Sequence, residues 1–187
     1  MLDAESRKGV VGRRGFLTGT GSFLLALAVA PGSARGGLAA PRRLRMFSAH
    51  TAERVDVEYF DGHHLLPDAL TELDGFLRDF RTGDIHPMDT RLLDLAWSLA
   101  RLSGLSNPTF EVISGYRSPA TNAMLHARSP GVAVYSMHLE GKALDLRLPG
   151  LPTERLRDLA IEMRRGGVGF YAASDFVHID TGRVRRW

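Results

Sequence analysis

Five residues near the end of the chain, FVHID at 176–180, alternate apolar and ionisable side chains. Alternate residues of a strand share a face, so a strand here buries Val177 and Ile179 and sets His178 and Asp180 together on the other side. ALDLRL at 143–148 carries the same pattern: Leu144 and Leu146 fix the core side, which turns Ala143 and Asp145 the opposite way. Just before it, SMHLEGKALD places His138 ahead of a turn at Gly141, so the chain folds back and His138 hangs over Asp145. Two strands and a turn thereby gather two imidazoles and one carboxylate.

The remaining pattern is mixed α and β. RLRMFSAHTAERVDVEYFDG, 43–62, reads as a pair of short strands in a hairpin. Leu70, Leu73, Phe76, Leu77 and Phe80 lie at helical spacing over 66–81, with Pro67 in the first turn. A second amphipathic helix covers 87–104 and stops at Gly104. FEVIS, 110–114, is a strand; SPATNAMLHAR is a short helix capped by Ser118; 151–167 is a helix opened near Thr153 and closed by two glycines. GVGFY and FVHID are joined by the turn-like AASD, and RVRRW forms a final strand and lid. The fold class is α+β, with a small, largely antiparallel sheet in the second half and flanking helices.

The chain's basic character, a pI near 9.7, comes from its beginning. Taking the five basic and two acidic residues of the first 40 from the chain's 24 and 21 leaves 19 of each. A formally neutral body lacks the electrostatic footprint of a phosphate binder, so nucleic acid is set aside as a partner. There is no cysteine, which excludes disulfides and thiolate metal sites and leaves only nitrogen and oxygen ligands. The apolar run Phe16–Ala30 is shorter than the roughly 20 residues of a bilayer span and follows a positive flank. Arg13-Arg14-Gly15-Phe16-Leu17 resembles the twin-arginine export motif. That resemblance implies that residues 1–40 are a signal and linker handled by the twin-arginine export machinery, with cleavage after Ala34 or Ala39. The mature body, 41–187, then reaches the periplasm folded and with no membrane span.

Spacing alone leaves the chemistry of His138, Asp145 and His178 open. The set suits tetrahedral zinc with a fourth position for water, and it suits ferrous iron. A surface histidine followed by a turn aspartate produces the same pattern. His50, His63, His64, His86 and His126 sit at turns or helix ends and read as solvated or capping residues.

Four motifs, in order, resemble the M15 zinc peptidases. SMHLEGKALD matches SxHxxGxAxD, SGYRSPATN matches the segment ahead of it, and GGVGFY with FVHIDTGRVRRW matches the end of a DUF882 or M15_3-like subgroup. The likeness covers roughly 41–187 and implies a hedgehog-like peptidase fold with His138, Asp145 and His178 holding zinc. It further implies that Arg117 faces substrate or stabilises a developing oxyanion, work that suits a permanently charged, two-pronged donor. The alternative for Arg117 is a turn-stabilising arginine bonded to carbonyls. Ser136 matches the motif serine and orients a neighbour.

Many members place a glutamate three residues before the last histidine, where this chain has Asp175, which faces away unless the strand bulges. Asp180 is therefore favoured as the carboxylate that activates the zinc water or, alternatively, orients a ligand imidazole, with Asp175 second. The resemblance implies a periplasmic zinc peptidase, endopeptidase or carboxypeptidase, acting on peptidoglycan stem peptides, with cross-link cleavage favoured. Its rivals are a zinc-containing module that binds peptidoglycan without cutting it and, less favoured, an iron oxygenase.

Overall fold

The computed structural model describes residues 39–129 and 131–187. The export segment therefore lies almost wholly outside the described residues. Seven strands form one sheet: β1 (Arg42–Ser48), β2 (Arg54–Phe60), β3 (Phe110–Ser114), β4 (Ala143–Arg147), β5 (Gly167–Tyr171), β6 (Phe176–Asp180) and β7 (Arg185–Arg186). Their order is β2-β1-β3-β4-β6-β5-β7. Pairing is antiparallel except for β1 with β3 and β5 with β7. The sheet is thus largely antiparallel as expected, but it is not confined to the second half. The hairpin joins it through β1, because Met46 and Phe47 pair with Phe110 and Glu111 over a long sequence separation that local pattern does not encode.

One face of the sheet carries the core. Leu44, Met46, Phe110, Leu144, Leu146, Val177 and Ile179 point into it, where they meet Leu73, Leu92, Leu99 and Leu156. These last come from helices α1 (Pro67–Phe76), α2 (Thr90–Leu102) and α4 (Thr153–Met163). The strict alternation in β4 and β6 leaves Ala143, Asp145, His178 and Asp180 for the opposite face. There they are buried as well, beneath other chain segments.

Three helices are shorter than their periodicity predicts. α1 ends at Phe76 although Leu77 and Phe80 continue its apolar face. The chain instead curls round Asp79, whose carboxylate accepts from the Ser118 amide at 2.9 Å, the Ser118 hydroxyl at 2.7 Å and the Arg81 amide at 3.0 Å. α2 begins only at Thr90, where the Asp89 side chain caps it. α4 ends at Arg164 in a left-handed conformation, φ 52°, and the glycines beyond it open β5. Thr153 donates its hydroxyl to Asp175 and leaves the start of α4 without a side-chain cap.

Asp79 matters to the site because Ser118 caps the fourth helix, α3 (Pro119–Arg128), directly after Arg117. Burial alone raises a carboxyl pKa; here hydrogen bonds from Thr121, Ser118 and two backbone amides overrule burial and hold Asp79 at about 2. A depressed folded-state pKa contributes stability that is present above the unfolded value of about 3.9 and lost on acidification. The protein should therefore lose about 1–2 kcal/mol as pH falls from about 4 towards 2 on this account. Denaturant melts of the Asp79→Asn variant should show a lower plateau at pH 6 and a shallower slope over that acid range.

Candidate metal centre

Cross-strand register builds the centre. Asp145 of β4 pairs with His178 of β6 on one side and with Ser114 of β3 on the other, next to an irregularity in the β3–β4 ladder. His138 arrives on a single 3-10 turn, Met137–Glu140, capped by Ser136, whose hydroxyl accepts from the His138 amide at 3.4 Å. Ser136 thus fixes the backbone that carries the histidine. The turn closes at Gly141 with φ 63°, and a Cβ there would stand 2.4 Å from the Pro87 carbonyl oxygen, so only glycine allows the chain to double back.

The structure brings the three expected ligands together. His138 Nε2, His178 Nδ1 and Asp145 Oδ1 form a triangle with edges of 3.2, 2.8 and 3.2 Å. Ligands about 2.05 Å from a tetrahedral zinc lie about 3.3 Å apart, so a slight opening of the triangle admits the ion. Both imidazoles have their second nitrogen committed. His138 Nδ1 donates to the Gly115 carbonyl at 2.7 Å and His178 Nε2 donates to Asp180 Oδ2 at 3.0 Å, which leaves His138 Nε2 and His178 Nδ1 facing the same point beside Asp145 Oδ1.

Burial pushes the His138 imidazole below its ordinary pKa, and the Arg117 charge adds to this against the pull of Asp145. A neutral His138 is the form that ligates. Against the cost of burial, hydrogen bonds to Asp145 and Asp180 raise His178. Asp145 is held well below the carboxylate range: burial opposes this, but the His138 charge interaction and hydrogen bonds from both histidines prevail. The donor set, two nitrogens and an anionic oxygen, is a fit for zinc.

Arg117 lies at the mouth of the centre. Its Nη2 donates to Asp145 Oδ2, and its Nε donates to the Ser114 hydroxyl at 2.9 Å. The turn-stabilising alternative for its side chain is not what the fold shows: no side-chain nitrogen of Arg117 meets a carbonyl, and Nη1 has no hydrogen-bond partner among the described residues. The guanidinium lines a cleft of about 390 Å³ together with His138, Asp145 and His178.

The two candidate bases fare differently. Asp180 is buried, and its oxygens accept from His178, from both Arg185 nitrogens and from the Gly167 and Gly182 amides. Such a saturated carboxylate, absent from the cleft wall, has the geometry of the imidazole-orienting role and not that of a group taking a proton from water. Burial would raise its pKa, yet the bonds from His178, Arg185 and Gly182 keep it well down. Asp175 sits apart from the cleft, φ 51°, in the turn before β6, where it meets Thr153 and Arg147. One residue before β6 begins, its carboxylate is spent on Thr153 at the start of α4 and on Arg147.

Sequence reasoning missed Arg185 and Trp187 as parts of the site. Arg185 clamps Asp180 at 2.7 Å and so supports His178 from behind, and Gly167 makes room, since a Cβ there would stand 2.3 Å from the arginine. The signal was the RxW that follows HID, within the RVRRW read as a final strand and lid. The other histidines lie outside the triangle: His50 stacks on Phe80, His86 on Tyr116, and His126 Nδ1 meets the Val132 carbonyl at 2.6 Å. Among the described residues no helix is long and apolar enough to cross a membrane.

Residues 37–187 match the family model Peptidase_M15_2, described as peptidoglycan L,D-endopeptidase MepK. The chain is 41% identical over 188 residues to the peptidoglycan L,D-endopeptidase MepK of Escherichia coli K12, covering 100% of this chain and 98% of that protein. It is 39% identical over 169 residues to the probable peptidoglycan L,D-endopeptidase MepK of Haemophilus influenzae, covering 89% of this chain and 91% of the relative. No solved structure matches the chain.

Competition with a chromophoric chelator checks the ligand geometry. His138→Ala should abolish stoichiometric zinc binding. Asp180→Asn, which leaves the ligands in place but weakens the grip on His178, should cost about 10–100-fold in affinity. Asp175→Asn should leave zinc affinity unchanged.

Proposed function

The chain belongs to the Peptidase_M15_2 family of M15 peptidases, and on that footing we propose that it is a zinc-dependent endopeptidase that hydrolyses stem-peptide cross-links of peptidoglycan in the periplasm. The observation that carries the reading is the buried His138, Asp145 and His178 triangle opening onto a cleft whose wall includes an arginine. Zinc supplies a Lewis acid for the scissile carbonyl and a water of lowered pKa.

The chain's own residues do the rest. Gly115 and Asp180 hold the rings of His138 and His178 in orientation. Arg117 is tied to Asp145 and Ser114 on one edge and offers its remaining nitrogen to an oxygen on which negative charge develops. The cleft receives an extended peptide: Arg117, Ser136 and Met137 lie along it, and Tyr171, Phe176 and Trp187 add an aromatic wall. Residues 1–40 are the twin-arginine signal that delivers the folded chain to its substrate, and 41–187 are the peptidase domain. Their support is the paired-arginine motif and the printed names of the relatives.

One observation favours the binding-module alternative: among the described residues the cleft wall holds no carboxylate other than Asp145. Digestion of purified cross-linked muropeptides separates the two. The zinc-loaded protein should release uncross-linked products identifiable by mass, a chelator should stop it, and added zinc should restore it. Intact muropeptides in the presence of bound zinc would overturn the peptidase reading in favour of recognition without cleavage. Arg117→Ala should lower kcat by about 10²–10³-fold, the size expected for removing a transition-state donor.

A further inference from the structure

Trp187 is placed where neither a core residue nor a mobile cover would be. Its backbone is clamped to β5, with the Trp187 amide donating to the Val168 carbonyl at 3.2 Å and the Phe170 amide donating to the Trp187 carbonyl at 3.1 Å. The indole Nε1–H donates to the Tyr171 hydroxyl at 3.0 Å. Arg185 lies against the ring, 4.8 Å from its centroid, while the same guanidinium holds Asp180. Beneath the ring is Gly169, where a Cβ would stand 2.6 Å from indole Cε2, so the second glycine of GVGFY exists as the seat of this side chain. The indole reaches the His178 ring at 5.2 Å between centroids, with an interplanar angle of 49°.

A side chain fixed on so many sides has lost its rotamer entropy before any ligand arrives, yet Trp187 keeps 51% of its surface exposed. The exposed part lines the cleft beside a metal ligand and continues into the stacked pair Tyr171 and Phe176, whose centroids are 4.6 Å apart. The result is a rigid apolar part of the lining in the cleft that also holds Arg117 and Ser136. A peptide crossing the cleft past His178 would bring an aliphatic side chain against that wall.

We propose that Trp187 is a specificity-determining residue whose indole face binds the aliphatic part of the stem peptide next to the scissile bond, an assignment that rests on the peptidase reading above. The wall removes apolar surface from water without paying for ordering, so its contribution lies in substrate binding rather than in the chemical step. Trp187→Ala in the zinc-loaded full chain should raise KM for a cross-linked muropeptide about tenfold, with kcat within about threefold and zinc content and melting temperature unchanged. Trp187→Phe should recover most of the loss. An unchanged KM overturns the proposal, and so does a joint fall of kcat and zinc content, which would make Trp187 only a support for His178.

A second measurement keeps the question open to decision should Trp187→Ala fail to fold. The chain has two tryptophans, so Trp97→Phe leaves Trp187 as the reporter. Stopped-flow mixing of that zinc-loaded variant with excess muropeptide should give an emission change before product release, with an amplitude that saturates near KM. Cleavage without an emission change overturns the proposal. Absence of cleavage by the unmodified protein instead defeats the peptidase reading, while an emission change in that case still reports muropeptide against Trp187.

Discussion

The pairing of Asp145 with His178 in the middle of the sheet is what the rest of the structure accommodates. A carboxylate buried between central strands costs several kcal/mol unless it is paired and fully hydrogen-bonded. Asp145 meets that demand with Arg117 and the two imidazoles. Each partner then requires its own support. Arg117 leans on Ser114, its backbone is carried by the turn that Asp79 ties down through Ser118, and His138 leans on Gly115. His178 leans on Asp180, which would itself be an unpaired buried charge without Arg185. One face of the sheet is packed by hydrocarbon, and the other is held by this polar network, in which removing any member leaves a buried group without a partner.

The same network explains why the site is aimed before a metal arrives. Both histidines have one nitrogen engaged by an acceptor, so the ring orientations are fixed and the other two nitrogens converge beside Asp145. The supports come from widely separated parts of the sequence: the segment after α1, the turn before α3, the 3-10 turn before β4, and the chain following β6. Close packing among them is possible because Gly141, Gly167 and Gly169 stand where side chains would collide with Pro87, Arg185 and Trp187 respectively. Glycine here serves contact between elements, a use that local turn rules do not reveal.

Much of this was legible in the chain itself. The period of two in 143–148 and 176–180 set which residues share a face with Asp145 and His178, and the apolar residues fixed which face is core. The glycine turn placed His138, helical periodicity located α1 and α2, and capping and stop signals located α3 and α4. These features are local, and local sterics decide them. Element ends were less legible: α1 stops early where the chain curls round Asp79, which bonds Ser118 thirty-nine residues away.

Tertiary structure alone decided the roles of the two remaining aspartates and the place of the last residues. Spacing puts Asp180 on the face of His178 and turns Asp175 away, but it does not say what either carboxylate touches. Only the register of β6 against β4, and the return of Arg185 alongside β5, show that Asp180 stands behind the imidazole while Asp175 anchors α4. Trp187 likewise reads as a terminal aromatic until β7 pairs with β5 and sets its ring over Gly169 and against His178. The sequence by itself determined the face that Asp145, His178 and Asp180 share, because a strand's alternation is built into the backbone. What each ligand leans on depends on which distant segments pack together, and that is a property of the folded sheet.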